Sequence, residues 1–447
     1  LPQLDIFRKK TMAPILPPTD AAHLLRRTGF GVSPSQLAAF TQLPSREAAV
    51  DKILDVNWTP SVSSPVPFTG VTDQYAGWNK LNDWWLNRMR TSTTPIVEKM
   101  VLFWHGHFCT GIDKVKDAGV LAQQHFTLRK HAGGDFHALA QAVSIDPAML
   151  VYLDNAFNVV GKPQENFARE LMELFTLGVG NYSQDDVVAL ARAWTGHSCD
   201  MKTGRTYQFY PAWHDNGSKA LFGLPAKNWN GPEALTEILK GSKAVPASRF
   251  IAAKVFSFFA YPIDPSDPVI TPIAATFRSS NLNIKELLRA IFKSDAFWSD
   301  TARKALVRSP IEWFVAGMQA TGLDASTITT ETEALAGQIL FLPPDVAGWG
   351  ANDYWLSTSS LWGRSQWAVT ARYYGWKGSC LKSVDSIAAV PAKVQKAFDE
   401  FGIVDPSPAT RAALEAAVSK AIADGDKAYV RPLLMHLLLL SPDFLVA

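Results

Sequence analysis

The chain has 447 residues, 47% of them hydrophobic and 19% charged, and its 43 basic and 41 acidic side chains leave a net charge of +2. This is ordinary globular composition at a length far above what a buried core needs, and the absence of a basic run argues against a nucleic-acid surface. No apolar stretch is long enough to span a bilayer, and three cysteines, Cys109, Cys199 and Cys380, are too few for a disulfide scaffold and lack zinc spacing.

In chain order, residues 1–19 carry four prolines and no periodicity and predict an extended arm. Asp20 is placed to cap a first helix through Leu24, Leu25 and Arg27. Ser33-Pro34-Ser35-Gln36 is a start signal: a serine cap, proline at the first helical position and glutamine three residues on. Residues 59–70 form a Pro/Ser loop, residues 79–90 a helix, and Thr94-Pro95 opens another through Trp104. Residues 118–143 predict one or two helices broken near Gly133-Gly134, residues 147–155 a short apolar helix, and residues 165–177 an amphipathic helix ending at Gly178. Ser183 with Asp186 caps the next, ending near Gly196. Thr206 to Tyr210 alternates like a strand, so residues 200–231 are expected to form a small β-hairpin insertion with long loops. Helices resume from 232 to 340, a Pro/Gly/Trp-rich loop follows at 341–366, and the remainder is helical. Leu433 to Leu440 is a buried core helix at that length. The fold class is mainly α: one large helical domain over 20–447 with a hairpin insertion. The cysteines leave two options, one bridge with a free thiol or three buried thiols.

Glu165-Asn166-Phe167-Ala168-Arg169-Glu170-Leu171-Met172-Glu173-Leu174-Phe175 carries the chemistry. At about 100° per residue, Glu165, Asn166, Arg169, Glu170 and Glu173 share an arc of roughly 140°, with apolar residues filling the other side. Arg169 lies four residues from both Glu165 and Glu173 and pairs with either. The bland reading is a solvated face. The functional reading is that the arc faces a cleft, where crowded carboxylates repel and one keeps its proton near neutral pH. A protonated and an ionised carboxyl facing one substrate are the parts of general acid/base catalysis.

The run Gln164 to Gly178 resembles the signature of the bacterial domain-of-unknown-function 1800 family. So do Leu24-Leu25-Arg26-Arg27-Thr28-Gly29-Phe30-Gly31, Glu98-Lys99-Met100 leading to Phe103-Trp104-His105-Gly106-His107-Phe108, Asp146-Pro147 with Tyr152-Leu153-Asp154-Asn155, Ala191 to Gly196, His214-Asp215 with Gly217 and Lys219, and Pro343-Pro344-Asp345-Val346-Ala347-Gly348-Trp349. The matches span roughly residues 20 to 370, in order, with Gln164 standing where the family usually has Asn. The resemblance implies export from a bacterial cytoplasm, to a secreted or periplasmic location, and pairing with a phosphatase-like exported protein. It supplies no agreed reaction.

His105-Gly106-His107 invites a metal reading. Residues two apart on a helix point about 200° apart, so a helix continuing through Gly106 denies one metal both rings, whereas on a strand or extended turn the rings share a side and can chelate. The alternatives are buried structural histidines or rings that touch substrate from a helix end. His214-Asp215 falls in the irregular insertion, where functional loops occur. No zinc-type His-Glu-x-x-His, phosphate-cradling loop or nucleophile elbow is present.

The leading expectation is an exported glycan-active hydrolase that needs no cofactor or metal. Glu165 and Glu170 are the first candidates for proton transfer, Glu173 joins them on the arc, and Asp154 or Asp215 activates water from the opposite side. Arg169 holds one carboxylate ionised. Trp104 and Trp213, from a supply of 15 tryptophans, stack on sugar rings. His105, His107, His214 and Lys219 complete the binding set for a poly- or oligosaccharide. The rivals are a metal-dependent enzyme built on His105, His107 and His214, and a non-catalytic envelope or binding protein.

Overall fold

The computed structural model describes residues 15–200, 205–375 and 378–447. The architecture is mainly α, and the sole sheet among the described residues is a two-stranded antiparallel hairpin. Buried apolar side chains from Leu16 to Phe444 form one contiguous cluster, so the helices pack about a shared interior. No helix among the described residues is long and apolar enough to cross a membrane.

Local signals set most helix ends. Ser33 accepts from the backbone N–H of Gln36, whose side chain answers in a full capping box. Ser183 and Asp186 make a second one, opening Gln184–Ala193. The break near Gly133-Gly134 separates Ala118–His131 from Phe136–Ser144.

Several boundaries differ. Of the arm expected over 1–19, residues 1–14 lie outside the described residues, and the first helix begins earlier than expected, at Pro18. Asp20 is therefore inside that helix. It is buried and paired with Arg46 at 2.7 Å and with Arg303, because two long-range guanidinium partners outweigh a local cap. The hairpin begins before residue 200: His197–Cys199 pairs with Tyr207–Phe209 in the register His197 to Phe209. The loop expected over 341–366 ends early, since Thr358–Gly375 is helical. All three cysteines are buried free thiols.

The helix Pro95–His107 is buried along its length, and it carries two charged residues at its start. Glu98 accepts both terminal guanidinium nitrogens of Arg129, at 2.8 and 2.7 Å, and Nε of Arg88 at 3.0 Å. Lys99 pairs with Glu312. Both pairs anchor this helix to its neighbours with charges that face protein rather than water.

Candidate functional site

The helix Glu165–Glu173 buries Phe167, Ala168, Leu171 and Met172 and leaves its polar arc partly exposed, as its periodicity requires. Within the arc, Arg169 donates to Glu165 at 3.0 Å and to Gln184 at 3.0 Å, and Gln184 in turn donates to Glu165 at 2.9 Å. The Tyr182 hydroxyl donates to Glu173 at 2.6 Å. Burial pushes the Tyr182 phenol up to about 12, with the Glu173 bond adding to the push, so it remains a donor. Glu170 is half-buried, and desolvation raises its carboxyl above the ordinary range, helped by the negative charges of Glu173 and of Asp345. The crowding therefore centres on Glu170 and Glu173, one turn apart, rather than on Glu165 and Glu170.

Asp345 was not among the expected site residues. It acts electrostatically on Glu170 from the loop at 341–350, and its one signal in the sequence is its place in the Pro343-to-Trp349 motif. Asp154 lies beside the start of the helix, where Asn166 Nδ2 is 3.5 Å from its carboxylate. It pairs with Lys114 at 2.9 Å and holds a left-handed backbone (φ 61°).

The two histidines of His105-Gly106-His107 explain how loop and helix meet. The helix runs through His107, so the rings diverge. His105 Nε2 accepts the backbone N–H of Phe341 at 3.1 Å, which fixes the start of the loop bearing Asp345. His107 Nε2 donates to the Phe175 carbonyl at 3.1 Å, and Lys254 donates to the Leu174 carbonyl at 3.1 Å. These two bonds cap the C-terminal end of the carboxylate helix, whose last carbonyls have no intrahelical partner. Burial drives His105 down to about 3 and His107 well below its ordinary value, so both are neutral.

Gly348 completes the closure. Its φ is +86°, and a Cβ there would sit 2.6 Å from the Gly106 carbonyl oxygen. Gly348→Ala is expected to cost about 2 kcal/mol or more from the left-handed backbone and the clash together. Urea unfolding checks it, and an unchanged midpoint would show that the loop does not depend on this contact.

Several expected substrate-binding residues have other roles. Trp104 is fully buried and donates to the Ala132 carbonyl at 3.1 Å, so it offers no face to a sugar. His105 is enclosed by Trp85, Phe341 and Trp349, and His107 by Phe103, Trp104 and Phe108. His214 is buried, with Nδ1 donating to the Thr195 carbonyl at 2.8 Å. Lys219 is buried and spans its own loop, donating to the carbonyls of Asp215 at 2.5 Å and Gly217 at 2.8 Å. Asp215 has both carboxylate oxygens held by Arg192, at 2.7 and 3.2 Å. That bond holds its carboxyl below the usual range, so it braces the insertion instead of facing the arc. Trp213 is half-exposed and stacks on Tyr210 with ring centroids 4.3 Å apart. The metal rival loses its donor set. His105, His107 and His214 have separate surroundings, and among the described residues no three His, Cys, Asp or Glu side chains are placed to hold an ion.

Fold and site together define a mainly α protein in which a cluster of carboxylates is assembled by buried histidines. The chain belongs to the family described as protein of unknown function DUF1800, which matches residues 23–446. No curated protein and no solved structure matches it.

Proposed function

We propose that the protein is a glycan-active hydrolase in which Glu170 is the proton donor. The observation that carries this reading is the placement of Glu170, half-buried beside Glu173 with Asp345 acting on it, so that it keeps a proton at a pH where ordinary carboxyls have lost theirs. In this reading Glu170 protonates the leaving oxygen, and Asp345 takes the proton of an attacking water in place of Asp154 or Asp215. Arg169 and Gln184 hold Glu165 at the edge of the site. A sugar substrate is favoured by Trp213, a half-exposed residue whose backbone carbonyl accepts from the backbone N–H of Val160 at 2.7 Å, just ahead of the carboxylate helix. Export from a bacterial cytoplasm and action beside a phosphatase-like exported protein are part of the same proposal.

A digestion screen over a broad panel of glycans, read by release of reducing ends, tests it with wild type beside Glu170→Gln. Wild type is expected to release product, and the variant to be slower by about 10²–10⁴-fold. No product from any glycan would overturn the hydrolase and favour the non-catalytic binding protein. Equal rates would clear Glu170 of any part in the chemistry.

A further inference from the structure

A hollow of about 440 Å³ lies next to the C-terminal end of the carboxylate helix, with His107 and Lys254, which cap that end, on its lining. Its lining holds four cationic side chains, Arg27, Lys99, Lys254 and Arg308, and one acidic side chain, Glu312. Lys99 neutralises Glu312, and among the described residues theirs is the only ion pair on the lining. Glu312 also acts electrostatically on Arg27 and Arg308, so a single acidic side chain serves a lining with four cations, and among the described residues Arg27, Arg308 and Lys254 make no ion pair of their own.

Arg27 is the most telling. It is 2% exposed, its Nη2 donates to the Ala302 carbonyl, and its Nε and Nη1 have no hydrogen-bond partner. Buried guanidinium N–H groups without acceptors are costly and are ordinarily satisfied. Arg308 is also buried, lies over the Phe444 ring and acts electrostatically on Arg27. Burial draws both down to about 9, a value at which they are still charged at neutral pH. The rest of the wall is largely apolar, with Phe103, Phe250, Phe258 and Trp349 among its residues. A concave apolar hollow with a few converging polar groups is the usual form of a small-molecule site, and a guanidinium fork suits a carboxylate.

We infer that this cavity binds a small organic acid, with its carboxylate held by Arg27 and Arg308 and its apolar body against Phe103, Phe258 and Trp349. None of Glu165, Glu170, Glu173 and Asp345 lines it, so the cavity borders the carboxylate helix at His107 and Lys254 without including its acids. Arg27 is also the residue of the Leu24-to-Gly31 motif that lines the cavity.

Isothermal titration of the full chain with octanoate, octanol and inorganic phosphate tests the inference. Octanoate is expected to bind at one saturable site about ten-fold or more tighter than octanol, a difference of about 1.4 kcal/mol, with phosphate weaker than octanoate. Arg27→Gln and Arg308→Gln are each expected to remove the preference for octanoate over octanol while leaving octanol binding in place. Equal affinity for octanoate and octanol in the wild type would overturn the anion site, and this comparison stands even if either variant fails to fold. Phosphate binding more tightly than octanoate would overturn the organic-acid class. Absence of saturable octanoate binding would overturn the proposal outright.

Discussion

Glu98→Ala is expected to destabilise the protein by about 3–5 kcal/mol, a large share of the roughly 5–15 kcal/mol that holds a folded domain together. Glu98 is fully buried. Besides its bonds to Arg129 and Arg88, it accepts from the Trp85 indole at 3.3 Å. Removing it leaves Arg129, 3% exposed, with no counter-charge in a medium that solvates it poorly. Arg88, with 27% of its side chain exposed, has a route to water and adds less to the cost. The double variant Glu98→Met with Arg129→Met should lose less than the single alanine, since it removes both charges at once. Urea unfolding with linear extrapolation measures each. A single-variant loss below about 1 kcal/mol would show that the pair is solvated in solution. The functional consequence follows from position. Glu98 fixes the helix that ends in His105-Gly106-His107, so loosening it should also loosen the loop and the helix end that those histidines hold.

The second large effect depends on pH. Glu333 is 1% exposed, accepts from Asn82 Nδ2 at 2.6 Å, and has no partner at Oε1. Burial raises its carboxyl from 4.5 to about 8, against the lowering effect of the Asn82 bond. The folded protein therefore keeps this proton up to about pH 8, while the unfolded chain releases it near 4.5. Between those values the unfolded chain binds fewer protons, so stability falls as pH rises. The contribution is whole below about 4.5 and lost by about pH 8, and at about 1.36 kcal/mol per pH unit it amounts to roughly 5 kcal/mol. Glu333→Gln keeps an acceptor for Asn82 and never ionises. It should match wild type at pH 4.5 and exceed it by roughly 3–5 kcal/mol at pH 9. Unfolding free energies at pH 4.5, 7 and 9 test the slope. A constant difference across that range would mean that Glu333 is ionised in the folded protein throughout.

Much of the secondary structure could be read from local pattern. The Ser33 and Ser183 boxes, the break at Gly133-Gly134 and the two faces of Glu165–Glu173 are short-range events, decided within a turn or two of chain. The failures were also local rules, overruled from a distance. Asp20 has the chemistry of a cap but found Arg46 and Arg303. Lys219 and Asp215 look like binding groups in a loop, yet the same loop uses them to satisfy its own carbonyls and Arg192. Trp104 has the side chain to stack on a sugar and a position that never meets one.

By itself the sequence determined the fold class and the helix that presents Glu165, Arg169, Glu170 and Glu173, because helical periodicity fixes the direction of each side chain relative to its neighbours; the divergence of His105 from His107 waited on the structure, which carries the helix through His107. Only the tertiary structure decided what those directions met. It set His105 against Phe341, His107 against Phe175, the charge of Asp345 within reach of Glu170, and Arg27 at the wall of a cavity with two donors unmet. Each of these joins segments far apart in the chain. Its energy depends on burial and on the charge of a partner that no local window contains.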